Sequence, residues 1–272
     1  MRRPEVAALA LLVALAGAGC SRVAFVKTDP SRKDFESTTE PVVVHETAAS
    51  RNRLTARNSL TLSEERLRSG DFAAAEKYAK QALKADPNSP DAYTMLGAIA
   101  DVQGQSAQAG QQYQRAADMA PTDGRTLNNY GAWLCKNGQA RASLDWFDRA
   151  LQAPGYGSPA AALANAGSCA LDAGDTVRAE RDLRQAIDAS PENPVALGAF
   201  ARVQFRAGRY LEARAFSERR LAAAPADAEA LILASQIEDK LGDSAAAARY
   251  VRRLREEFPG AAQGNAGGSK SQ

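Results

Sequence analysis

The chain has 272 residues, 45% of them hydrophobic, which excludes a protein that is disordered from end to end. Its 34 Lys and Arg nearly balance 32 Asp and Glu, so a formal charge of +2 gives no basic field for nucleic acid and no acidic tail. The single histidine, His45, sits among polar residues, which leaves almost no material for histidine-based acid–base, metal or triad chemistry.

Residues 1–20 read MRRPEVAALALLVALAGAGC. Arg2 and Arg3 form a positive start, Val6 to Leu15 an apolar stretch, and Ala16 to Gly19 a run of small residues, the order of a secretory signal. About ten apolar residues are half of what a hydrocarbon core demands of a spanning helix. The small-residue run ending at Cys20 resembles a bacterial lipoprotein signal, which implies removal of residues 1–19 and lipid on Cys20. Gly17 stands where such signals usually carry Leu, whereas Ala18 and Gly19 match. An ordinary secretory signal with a coincidental Cys20 is the alternative. Ser21 resembles the residue that sorts lipoproteins to the outer membrane, on its periplasmic face. Residues 20–55, with Pro30, Pro41 and a short apolar run at Val42–Val44, read as a tether.

From there on, glycines recur at Gly70, Gly104, Gly138, Gly174, Gly208 and Gly242, spaced by 34, 34, 36, 34 and 34 residues. Prolines follow 17 residues later at Pro87, Pro121, Pro191, Pro225 and Pro259; in the third unit Pro154 comes one residue early, and GYGSP holds the two extra residues. The glycine ends a first helix by turning left-handed, and the proline ends a second because it lacks an N–H. Five residues after each glycine stands Ala75, Ala109, Ser143, Ala179, Ala213 or Ala247, small enough for two helices to cross closely. Seven before it stands Ser63, Gly97, Gly131, Gly167, Ala201 or Ser235.

This pattern resembles the tetratricopeptide repeat. The resemblance implies an all-α, right-handed superhelical solenoid of about six repeats over 56–261, at 56–89, 90–123, 124–157, 160–193, 194–227 and 228–261. Arg220 and Leu254 replace an expected Ala, so the last two repeats are expected to cap the array with a more polar face. The Gly/Ser-rich stretch 262–272 reads as a disordered tail.

In such repeats the first helices line a concave groove. The positions assigned to it here are Leu60, Leu67, Thr94, Ala98, Asn128, Asn129 and Asn165. Asn129 and Asn165 share a register from which an amide could bond an extended ligand backbone; bonding to helix neighbours is the alternative. Only Arg57 and Arg125 are basic among the groove positions, which argues against a clamp for a ligand carboxylate. Cys135 and Cys169 lie on the first helices of repeats three and four. Facing helices bring such residues within disulfide reach, and an oxidising compartment favours pairing; two buried free thiols are the alternative.

LNNYGAWLCKNGQ around Cys135, ANAGSC at 164–169, the lipoprotein signal and six repeats together resemble the pilotins, type IV pilus biogenesis lipoproteins of the PilF/PilW family. The resemblance implies binding to the type IV pilus secretin, the ring-shaped outer-membrane channel, and help with its localisation and assembly. A repeat scaffold for another cell-envelope machine is the alternative. No nucleophile–His arrangement or spaced acid–base pair supports an enzyme, and no cofactor, metal, nucleic acid or small-molecule substrate is expected.

Overall fold

The computed structural model describes residues 47–261. The signal, Cys20, His45, Val42–Val44 and the tail lie outside the described residues. Among the described residues twelve helices follow one another: α1 (Ala48–Arg68), α2 (Phe72–Ala85), α3 (Pro90–Val102), α4 (Ser106–Met119), α5 (Gly124–Lys136), α6 (Ala140–Gln152), α7 (Pro159–Asp172), α8 (Thr176–Ala189), α9 (Pro194–Arg206), α10 (Tyr210–Ala223), α11 (Ala228–Leu241) and α12 (Ser244–Glu257). Successive pairs form six helix-turn-helix units, and the two helices within a pair make the most extensive contacts of the fold.

The six turn glycines share one backbone device. Each has positive φ, from 74° to 82°, where a β-carbon would be strained. The residue after each closes the helix end: the N–H groups of Asp71, Gln105, Gln139, Asp175, Arg209 and Asp243 donate to the carbonyls of Arg66, Ala100, Leu134, Ala170, Gln204 and Glu238. That bond pattern is the Schellman closure, which satisfies carbonyls the helix leaves open. Asp71, Asp175 and Asp243 then cap the next helix with their carboxylates. One tripeptide thus ends one helix and starts the next.

The small residues do what their size permits. Ala75, Ala109, Ser143, Ala179 and Ala213 are fully buried and Ala247 is 4% exposed, each at the crossing of its pair. At the partner position, a β-carbon on Gly131 would lie 3.0 Å from Phe147, and one on Gly167 2.5 Å from Leu183. Ser63, at that position in the first repeat, donates its hydroxyl to the Ala75 carbonyl at 2.7 Å. The largest apolar cluster runs through α6, α7, α8 and α9, from Leu144 and Phe147 to Phe200 and Val203. In the loop after α6, Tyr156 lies over Gly124, whose β-carbon would be 2.5 Å from the ring. The two extra residues of the third unit therefore form a lid over the start of α5.

One boundary differs from the sequence reading. Helix α1 begins at Ala48, not at residue 56, so the last eight residues assigned to the tether are helical; Thr47 caps them by accepting the Ser50 N–H. Nothing in AASRNRLT breaks a helix, and the 34-residue repeat frame alone had set the earlier boundary. Leu254 is buried at 6% exposure, and the charged residues around it on α12, Arg252, Arg253, Arg255 and Glu256, are exposed. Arg220 instead spends its charge locally, donating to the carbonyls of Ala224 and Pro225 and pairing with Asp227.

Candidate protein-binding groove

The first helices of successive units touch one another in order, α1 with α3, α3 with α5, α5 with α7, α7 with α9 and α9 with α11. Successive second helices have no comparable packing. Helices crowd on the inside of a curved stack, so the first helices line the concave face.

Polar side chains lace that face together from repeat to repeat. Arg125 reaches Asp91 at 3.1 Å, and Lys136 reaches Asp101 at 2.9 Å. Arg202 contacts Glu229 at 3.1 Å and Asp172 at 3.6 Å, and donates to the Ser168 hydroxyl at 2.7 Å. Partial burial pushes the Asp123 carboxyl up, but hydrogen bonds from Arg125 outweigh it and hold the group below its ordinary value. Such a carboxylate stabilises the fold at neutral pH and loses that contribution only in acid. Arg125, Lys136 and Arg202 of the groove are thus matched by carboxylates within the chain. Lys136 and Arg202 add to the basic residues recognised in the sequence, and their pairing leaves the same conclusion about a carboxylate clamp.

The assigned groove residues separate into three groups. Ala98, Asn128, Asn129 and Asn165 are half-buried on the first helices. Asn165 donates through Nδ2 to Oδ1 of Asn128 at 3.0 Å, so this amide pair bridges α5 and α7 and is not a free pair with Asn129. Leu60 and Leu67 require correction. Leu60 packs against Ala56, Ala82 and Ala92, and Leu67 against Ala75, Ala79 and Ile99, so both serve the core between the first two repeats. Both are half-buried, so a carboxylate at either place would disturb that junction and would not probe the groove alone. Thr94 is the third case: its hydroxyl is buried with no hydrogen-bond partner. Thr94→Val keeps the shape and removes the orphan, and urea unfolding is expected to show a gain of about 1 kcal/mol.

Cys135 of α5 and Cys169 of α7 are joined by a disulfide, with Cα atoms 5.8 Å apart. It lies on the same first-helix side as the Asn128–Asn165 bridge and pins repeat three to repeat four.

A cleft lies further along. A space of about 270 Å³ opens between α9 and α11, lined by Ser168, Val195, Gly198, Arg202, Arg220 and Leu233 among others. Gly198 stands ten residues before its turn glycine, where the earlier units have Leu60, Thr94, Asn128 and Ala164. Losing that side chain opens the wall, and Val195, 47% exposed, flanks the opening. A glycine at this one register was the available signal, and the sequence reading missed it because it weighted the early repeats.

A stack of helix pairs whose first helices enclose a neutral cleft defines a protein-binding repeat scaffold. Models described as tetratricopeptide repeat match residues 60–124 and 134–194, and a second one matches 170–237; the chain belongs to the tetratricopeptide-repeat family. Its relatives include type IV pilus assembly proteins. The type IV pilus assembly protein PilF of Pseudomonas aeruginosa is 22% identical over 194 residues, 71% of this chain and 77% of that protein. The structure of PilW, a widely conserved type IV pilus biogenesis factor, matches with a TM-score of 0.67 at 28% identity, over 76% of this chain and 96% of that one. The P. aeruginosa PilF structure gives 0.66 at 21% identity, a likeness of fold. Cellulose synthase operon protein C of Pseudomonas fluorescens is 30% identical over 194 residues, but the chain spans only 15% of its length. The right-handed superhelix of the tetratricopeptide fold accounts for the whole described body.

Proposed function

We propose that this chain is an outer-membrane lipoprotein pilotin, anchored through Cys20 on the periplasmic face, that binds the type IV pilus secretin and promotes its localisation and multimerisation. The observation that carries the reading is the match to PilW across 96% of that chain, because it extends over the array as a unit. The likeness to the cellulose synthase operon protein covers 15% of its partner and is explained by shared repeats alone.

A secretin segment lies along the concave face, with an apolar side chain seated between α9 and α11. Arg125, Lys136 and Arg202 are already paired, so binding draws on apolar burial and neutral hydrogen bonds and depends weakly on salt. Gly198→Tyr tests this seat. The nearest atom to a β-carbon at Gly198 belongs to the flexible Arg220 side chain, 3.7 Å away, so the helix accepts the new residue while the ring fills the cleft. Circular dichroism is expected to be unchanged. Co-purification from detergent-solubilised envelopes, with bound proteins identified by mass spectrometry, is expected to recover secretin with the parent chain and about tenfold less with the variant. A folded variant that retains full secretin recovery would exclude this cleft.

The anchor has its own test. Cys20→Ala is expected to abolish metabolic lipid labelling, and labelling at the parent level would show that the lipid is elsewhere or absent.

A further inference from the structure

Helix α1 differs from the other eleven in length and in what it leaves uncovered. It has 21 residues, against 13 or 14 for the rest. Leu62 stands eight residues before its turn glycine, where later repeats have Leu96, Tyr130, Ala166, Phe200 and Ala234. Tyr130, Ala166, Phe200 and Ala234 are buried, since each of their helices packs against the second helix of the unit before. Among the described residues no earlier unit covers α1. Leu62 is 37% exposed there and Leu54, two turns back, is 53% exposed.

These leucines belong to a stripe. Arg51, Leu54, Asn58, Leu62 and Glu65 follow spacings of three or four and share one side of the helix, with Thr55 and Thr61 beside them. The opposite side, Ala56, Ser59 and Ser63, is buried. The stripe is self-complementary when reversed about Asn58. A second α1 laid antiparallel places Leu54 against the second copy's Leu62, Arg51 against its Glu65, and Asn58 against its own counterpart. A parallel arrangement opposes arginine to arginine and glutamate to glutamate. Among the described residues neither Arg51 nor Glu65 has an ion-pair partner, whereas the neighbouring Glu64 is held by Arg68 at 2.8 Å.

We propose that this face of α1 is a homotypic contact, an antiparallel two-fold pairing with a second copy of the chain centred on Asn58. A two-fold contact uses the same patch on both partners, and charge order along the stripe selects the antiparallel sense. One helix pair is small for an interface, so the association is weak and transient and dissociates on dilution. The concave groove stays free, and the pairing does not depend on the secretin reading.

Asn58→Cys tests the geometry in the full chain in its own membrane. Cys135 and Cys169 are joined to each other and Cys20 is present in the control as well, so linkage gained at residue 58 reports the new thiol at the two-fold, where two copies meet. Mild oxidation is expected to yield a covalent dimer, with Gln111→Cys, an exposed site on α4, as the control that does not cross-link. Adding Leu54→Glu removes the dimer. Adding Arg51→Glu, or Glu65→Arg, lowers the dimer affinity roughly tenfold, because symmetry counts each charge pair twice. Combining the two reversals restores it. These side chains are exposed, and circular dichroism confirms that the fold is kept. Cross-linking no stronger than at residue 111, linkage of residue 58 to a different protein, or failure of the double reversal to restore dimer would each overturn the proposal.

Discussion

Phe147→Ala is expected to lower the unfolding free energy by about 3–5 kcal/mol, the largest truncation of a fully buried side chain in the array. Phe147 is the bulkiest fully buried side chain, and its ring lies against the face of α5 that Gly131 leaves bare. Removing it leaves a cavity that rigid helices on both sides close only in part. Repeat arrays are stabilised by neighbour contacts, so damage here also weakens the coupling of the first two repeats to the last three. Urea unfolding followed by circular dichroism checks both effects: a lower midpoint, and a transition that broadens or divides. The Gly131 contact adds a sharper test. Gly131→Ala alone presses a methyl group to 3.0 Å from the ring and is expected to destabilise, but to do so much less beside Phe147→Leu. A loss below about 1 kcal/mol for Phe147→Ala would mean that the junction between the third and fourth repeats is not the centre of the core.

Removing the Cys135–Cys169 bond with paired alanines is expected to lower stability by about 3–4 kcal/mol. The bond closes a separation of 34 residues, and chain-entropy models assign a loop of that size a contribution in this range. For a body of this length the loss corresponds to a drop of roughly 6–16 °C in Tm. Reductant is expected to reproduce the shift in the parent chain and to leave the alanine variant unchanged. Mass spectrometry of the exported protein without reductant supplies the complementary reading. Two alkylatable thiols there, or a Tm shift under about 2 °C, would contradict the assignment.

Much of the fold was legible because each repeat marks its own turn. Six glycines with small residues at fixed offsets located all six pairs, and the positive φ of Gly70 through Gly242 supplies the physical reason. The helix start at Ala48 was not legible from that frame. A repeat period says where units recur, and it is silent about a helix that continues beyond the first one. The groove was less legible than the fold. Register placed Leu60 and Leu67 on the first helix, but whether such a side chain faces the groove or the next repeat depends on what stands across from it. Across from Leu60 are Ala82 and Ala92, small enough to admit a leucine, and Leu67 meets Ala75, Ala79 and Ile99. Asn165 likewise found a partner in Asn128 one repeat away, a contact set by helix approach that sequence spacing does not encode. The cleft at Gly198 arises from a missing side chain, which a reading centred on apolar and polar residues passes over.

The central claim, assistance to the pilus secretin, is tested most directly by the amount of secretin multimer in outer-membrane fractions of cells lacking this chain. The account predicts that multimers fall to background and surface pili disappear, that the parent gene restores both, and that a copy with Cys20→Ala restores neither fully. Normal secretin multimers in the outer membrane of the deletion strain, with pili intact, would contradict it.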